Sequence, residues 1–374
     1  MSDKIPDTFC THKWQEIFVN FEQSFSYSCC KGKPKQFGDD IFENIHQEQK
    51  NLLNGIQDDS CNYCWDVENV GGESLRNSYL KHFDKNEFKK IISSPPSRVQ
   101  VNLGNTCNFQ CLYCNPKFSS RWEQDVLKQP YKIFSDRFFY QTGTKNTSAI
   151  DLTTKFLKNL GHLEYITISG GEPTYNKNLL EVINLVSADS IEITTNLSAS
   201  TDDLLTLLEK LKKFNKVILN VSIDATDEVA EFVRNGLDFK QFDSNLTFLL
   251  DNKPNNVSIR VLTLFTSLTI LDINNFSTYM DDKLDKIDLW FLWHCVDPKI
   301  QSLSTLPDEH KSPIKKQLEK LKNNDKIKNI DSVLSVMNAV PFNNTLYQQL
   351  KVFVNEFSIR KQVKIPELLK EFKK

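Results

Sequence analysis

Residues 98–114 read Arg-Val-Gln-Val-Asn-Leu-Gly-Asn-Thr-Cys-Asn-Phe-Gln-Cys-Leu-Tyr-Cys. Arg98–Leu103 reads as a β-strand, and it runs straight into a loop holding Cys107, Cys111 and Cys114. The cysteines are spaced C-x3-C-x2-C, with an aromatic, Tyr113, directly before the last. Thiolates are soft ligands that suit iron–sulfur clusters or zinc. Three of them can hold three irons of a cubane cluster and leave the fourth iron without a protein ligand. A structural zinc wants four protein ligands, so zinc would need a further residue such as His162 or Cys295. The plainer alternatives are that structural zinc and a set of free buried thiols.

Outward from this stretch, strands and helices alternate. Further strands are expected at Leu163–Ser169, Ile191–Thr195, Lys216–Ile223, Val257–Leu264 and Ile287–Trp293, with helices such as Lys177–Ser187 and Thr201–Phe214 between them. Repeated β–α units imply parallel strands with right-handed crossovers. Six units fall short of an eight-unit barrel, so the expected class is α/β, a partial (β/α)6 TIM-like barrel over residues 96–300. The cysteine loop follows the first strand, where catalytic loops of parallel folds gather. Beyond residue 300 the pattern turns helical, at Lys311–Asn323, Asp331–Asn338 and Asn344–Lys361, giving a C-terminal extension over 301–374. The basic ending from Arg360 to Lys374 reads as a solvated helix end, or else as a surface for something acidic.

Residues 1–95 form a small α+β, cysteine-rich module ahead of the linker Ser93-Ser94-Pro95-Pro96. Trp14–Phe21 and Phe25–Cys30 predict a hairpin turning at Glu22-Gln23-Ser24. Helices are expected over Phe42–Asn54, closed by Gly55, and over Glu73–Phe83. Cys61-Asn-Tyr-Cys64 is a C-x2-C pair, with Cys10 and Cys29/Cys30 upstream. One cysteine from each of the first two places plus the pair makes four thiolates, enough to close the shell of a cubane or of a zinc.

The totals agree with a cytosolic protein. Lys and Arg number 46 against 48 Asp and Glu, a net charge of −2, which argues against nucleic acid or an anionic membrane as partner. No apolar run reaches the ~18 residues of a membrane span, and the N-terminus lacks the apolar core of a secretory signal. The expected localisation is cytoplasmic, where the nine cysteines point to metal or catalysis rather than disulfides.

With Ser169-Gly170-Gly171-Glu172-Pro173 ending the second strand, the chain resembles the radical S-adenosylmethionine (radical SAM) superfamily. Two motifs carry the likeness: C-x3-C-x2-C after the first strand and Gly-Gly-Glu-Pro after the second. The resemblance implies a [4Fe–4S] cluster on Cys107, Cys111 and Cys114, whose open iron SAM chelates through its amino and carboxylate groups. It implies that Gly170, Gly171 and Glu172 meet that amino group and that Tyr113 lies near the adenine. Thr195 and Asn196 after the third strand, Ser222 and Asp224 after the fourth, and Arg234 fall where the family contacts SAM, Arg234 against its carboxylate. Residues 1–95 resemble a twitch-type auxiliary-cluster module, carried at the N-terminus as in one subfamily. Cys10, Cys29, Cys61 and Cys64 would then hold an auxiliary [4Fe–4S] cluster or zinc, with Cys29 taken over Cys30. Glu68, Gly71, Ser74-x-Arg76, Ser119-Ser120-x-Trp122, Asp297-Pro298 and Leu306-Pro307 match that subfamily's pattern.

The resemblance implies reductive cleavage of SAM to a 5′-deoxyadenosyl radical that takes a hydrogen atom from substrate. The expected substrate is a peptide or protein, with a small metabolite such as a sugar nucleotide or amino-acid derivative as the alternative. The expected electron donor is a flavodoxin or ferredoxin. A reading of another class is a non-catalytic scaffold stabilised by zinc. Trp290, Trp293 and His294 read as pocket lining or as core, and Cys295 as an inert buried thiol.

Overall fold

The computed structural model describes residues 4–20, 25–29, 32, 35–36, 42–133 and 155–373. The expected turn at 22–24 and Cys30 lie outside these. The strands run β1 (Glu16–Asn20), β2 (Phe25–Tyr27), β3 (Lys35–Gln36), β4 (Arg98–Asn102), β5 (Gln110–Cys111) and β6 (His162–Ser169). They continue with β7 (Ser187–Thr195), β8 (Lys216–Ser222), β9 (Arg234–Asn235), β10 (Val257–Phe265), β11 (Leu289–His294) and β12 (Ile327–Lys328).

The chain divides into two compact units, the first made of residues 1–104, 143–170 and 178–192 and the second of the rest. In the first, neighbouring strands follow the order β3-β2-β1-β4-β6, then the start of β7. The expected hairpin is present as antiparallel β1 and β2. Its first strand starts at Glu16 because His12–Gln15 makes a helical turn that buries Trp14 with Phe9, Leu52, Trp65 and Phe88. The sequence pattern did not foretell that β1 also pairs in parallel with β4, Ile17 opposite Val99 and Val19 opposite Val101. β4 pairs in parallel with β6. The helix Glu43–Leu53 ends where Gly55 turns the chain at φ 77°, a conformation that suits a residue without Cβ.

In the second unit the end of β7 is followed in order by β8, β10, β11 and β12, and the pairs β8–β10, β10–β11 and β11–β12 are parallel. Thus the expected α/β class, a mostly parallel open sheet with helices, is met. Along β10, Val257, Ile259, Val261, Thr263 and Phe265 are buried, while Ser258, Arg260, Leu262 and Leu264 are half-buried. One face of β10 is therefore dry and the other partly wet, whereas β8 is buried from Val217 to Val221. The helix Thr201–Leu211 presents an apolar stripe of its own. Ser200 caps it by accepting from Asp203 N, and Leu204, Leu207, Leu208 and Leu211 recur on one stripe and are buried. Each such leucine contributes about 1.5–3 kcal/mol of apolar burial. β7 starts at Ser187, four residues before the expected Ile191, and cuts the preceding helix to Leu179–Leu185. No helix among the described residues is long and apolar enough to cross a membrane.

Candidate active site

Few of the backbone polar groups in the cysteine loop are satisfied by regular structure, so side chains satisfy them. Trp122 Nε1 donates to Cys111 O at 2.8 Å, Gln301 Nε2 to Leu112 O at 2.6 Å and Ser119 Oγ to Phe109 O at 2.7 Å. Ser120 Oγ sits 3.2 Å from Cys107 N and accepts its proton. Ser119 also caps the helix Ser120–Lys128, which carries Trp122. The strand β5 holds Cys111 opposite Arg234 of β9. Side chains thus hold the backbone of the loop. The pattern Ser119-Ser120-x-Trp122 marks this place in the sequence, but Gln301 has no sequence signal, because its partner lies 189 residues away.

The strand end Gly170-Gly171-Glu172 bends through φ values of 102° and 49° at the glycines. A Cβ on Gly170 would stand 2.7 Å from Gly104 O, and one on Gly171 would stand 2.7 Å from the Thr106 carbonyl carbon. Only glycine fits either position. The Glu172 carboxylate faces inward and is 2% exposed. Its Oε1 accepts from Thr174 N at 3.1 Å, Thr174 Oγ1 at 2.7 Å and Thr195 Oγ1 at 2.7 Å, and its Oε2 accepts from Asn196 N at 2.5 Å. Burial raises its pKa above the usual carboxylate value, and these hydrogen bonds pull it back. Asn196 Nδ2 in turn donates to Asn108 Oδ1 at 3.0 Å, inside the cysteine loop.

A third group joins Tyr113, Asp224 and Arg234. Arg234 Nη1 donates to Asp224 Oδ2 at 2.9 Å and to Tyr113 Oη at 2.8 Å, and Tyr113 donates to the same Asp224 oxygen at 2.5 Å. Asp224 Oδ1 accepts from Leu264 N at 2.8 Å. Both charged side chains are buried, so their desolvation is offset only because they are paired and hydrogen-bonded. Arg234 Nε has no hydrogen-bond partner among the described residues. Ser222 is half-buried at the end of β8.

None of the eight described cysteines is in a disulfide. Burial pushes Cys107 up to about 12 and raises Cys111 and Cys114. Cys295 is buried, its Sγ 3.4 Å from Asp297 O, with burial pushing the thiol up to about 12, in keeping with an inert residue. His162 stands exposed at the start of β6, engaged with Ser187 and Asp189. Trp290 is core, donating to Thr263 Oγ1 at 2.9 Å, whereas Trp293 is 50% exposed. The basic C-terminal end is not a solvated tail at its start: Arg360 donates to Gln129 O and Pro130 O, and Lys361 pairs with Asp125 at 3.0 Å.

In the first unit Cys10, Cys29, Cys61 and Cys64 line one cavity together with Lys13 and Ser60. Cys61 closes the turn Asp59–Cys61 and Cys64 lies one turn into the helix Asn62–Asn69, so the C-x2-C spacing puts both on one side. Arg76 fixes the Cys10 segment by donating from Nη1 to Phe9 O at 3.0 Å and Asp7 O at 2.8 Å. Its other nitrogens bind Glu68, which also accepts from Ser74. The Glu68…Ser74-x-Arg76 pattern therefore has a structural purpose. Burial pushes Cys10 up to about 12.

Residues 101–275 match the family model described as the Radical SAM superfamily. The GTP 3′,8-cyclase of Pasteurella multocida is 25% identical over 209 residues, covering 54% of this chain and 56% of the relative. The probable GTP 3′,8-cyclase of Methanocaldococcus jannaschii is 29% identical over 142 residues, covering 37% and 39%. The chain thus spans about half the length, or less, of these curated relatives. Among solved structures, native anSMEcpe with bound AdoMet has 18% identity and a TM-score of 0.43, covering 66% of this chain and 68% of that one. Streptococcus suis SuiB bound to precursor peptide SuiA has 13% identity and a TM-score of 0.39, covering 84% and 71%.

Proposed function

Taking residues 101–275 as a radical SAM domain, we propose that this chain cleaves S-adenosylmethionine reductively and directs the resulting radical at a bound substrate. The observation that carries this reading is a loop held by Ser119, Trp122 and Gln301 that presents three thiols within eight residues.

When bound, a reduced [4Fe–4S] cluster with SAM supplies a 5′-deoxyadenosyl radical that abstracts a hydrogen atom. The chain's own residues then have distinct tasks. Cys107, Cys111 and Cys114 hold the cluster. The backbone at Gly170 and Gly171, free of Cβ atoms, meets the SAM amino group. The Glu172 carboxylate keeps that turn in place through Thr195 and Asn196 rather than reaching outward. Arg234, whose Nη1 is held by Asp224 and Tyr113, is the guanidinium offered to the SAM carboxylate. The Tyr113 ring and Ser222 border the adenosine.

Residues 1–95 would serve as the twitch-type module, with Cys10, Cys29, Cys61 and Cys64 as auxiliary-cluster ligands. Residues 96–300 would form the half-barrel and 301–374 a helical extension. The substrate we favour is a peptide or protein, with electrons from a flavodoxin or ferredoxin. The curated relatives act on GTP by name, which supports a small nucleotide as the second reading. Loaded protein given dithionite and SAM should form 5′-deoxyadenosine. Replacing Cys107, Cys111 and Cys114 by Ala should abolish it, and an unchanged yield would sink the reading. Faster formation on adding GTP would select the nucleotide. A colourless protein holding zinc would select the non-catalytic scaffold.

A further inference from the structure

We propose that Lys13 sets the reduction potential of the auxiliary site, and this rests on the reading of Cys10, Cys29, Cys61 and Cys64 as cluster ligands. Lys13 is 1% exposed and lines the cavity that the four cysteines line. Its ammonium donates to Ser28 Oγ at 2.5 Å, Glu48 Oε2 at 2.7 Å and Ser60 Oγ at 2.8 Å, which uses all its protons. Ser28 directly precedes Cys29, Ser60 directly precedes Cys61, and Lys13 itself follows Cys10 by three residues. One cation therefore ties together three of the four cysteine segments. Burying an ammonium costs several kcal/mol before its partners repay it, and a neutral side chain could fill the same space without that cost. What a neutral side chain would lack is charge. Lys13 shares the cavity lining with Cys10, Cys29, Cys61 and Cys64, whereas Glu48 does not line it.

One-electron reduction adds a negative charge to a site already ringed by four thiolates. A fixed cation nearby, in a medium of low dielectric, favours that added charge. The carboxylate of Glu48 opposes it from behind. The two residues should therefore move the potential in opposite directions, which loss of a merely structural contact would not do.

The test uses the full chain carrying Cys107→Ala, Cys111→Ala and Cys114→Ala, so that only the auxiliary cluster remains, titrated with dithionite and followed by electron paramagnetic resonance. Lys13→Met should make reduction about tenfold less favourable, a fall of about 59 mV for a one-electron couple. Lys13→Arg should stay near the unsubstituted value, and Glu48→Gln should raise the potential. Shifts of Lys13→Met and Glu48→Gln in the same direction, or no shift in either, would overturn the proposal. Should Lys13→Met fail to hold iron, Glu48→Gln decides alone: a rise supports the proposal, and no change or a fall overturns it. Iron and sulfide analysis comes first. Their absence from the cavity would refute the auxiliary-cluster reading itself, a result distinct from a cluster whose potential ignores Lys13.

Discussion

Glu172 shows how one side chain can matter by what it holds within the protein. Its two oxygens accept from four donors on Thr174, Thr195 and Asn196. Glu172→Ala would leave the buried donors of Thr195 and Asn196 without an acceptor, at about 1–3 kcal/mol for each that stays unsatisfied. We expect a fall in melting temperature of several degrees by circular dichroism, while Glu172→Gln keeps an oxygen in place and most of the stability. Equal melting of the two variants would contradict this role. Gly171 is bound more tightly still, since any Cβ there overlaps the Thr106 carbonyl. Gly171→Ala should fail to hold the turn, measured as loss of SAM binding by calorimetry.

The C-terminal helix Asn344–Lys361 has its own stake in the cysteine loop. Phe353 and Phe357 pack on Trp122, at ring distances of 6.2 Å and 5.9 Å, and Trp122 donates to Cys111 O. Phe357→Ala should cost about 3–5 kcal/mol and lower the iron retained on reconstitution. Trp122→Phe keeps the packing but loses the hydrogen bond, so it should melt close to wild type yet still lose iron. Asp125 adds a pH-dependent link. Burial pushes its pKa up, but hydrogen bonds from Gln110, Lys361 and Tyr131 outweigh this and hold it below the ordinary 3.8. Its folded pKa being lowered, the stabilisation is present above pH 3.8 and is lost as pH falls further. The melting difference between wild type and Asp125→Asn should accordingly be full near neutrality and vanish in stronger acid. These contacts could not be read from sequence. Periodicity placed Asn344–Lys361 to the residue and found the main strands with ends that differ by one to four residues, because helix and strand patterns are local. What a helix packs on, why Gln301 reaches Leu112, and why β1 runs beside β4 are pairings across distant sequence. The cysteine spacings and the Gly-Gly-Glu turn were readable for the opposite reason: each puts its chemistry within a few residues.

For the molecule taken together, the proposed reading gives the two cysteine sets separate claims on iron. Each belongs wholly to one compact unit, so each should load by itself. Cys61→Ala with Cys64→Ala should lower bound iron by about half relative to wild type, with the other [4Fe–4S] cluster intact. That variant also isolates the open site. The account turns on an iron at Cys107, Cys111 and Cys114 that the chain leaves for SAM. Electron paramagnetic resonance of the dithionite-reduced Cys61→Ala/Cys64→Ala protein, with and without SAM, tests it most directly. The account predicts that SAM shifts the g-values of the remaining cluster, and a loaded cluster whose spectrum is identical with and without SAM would contradict it.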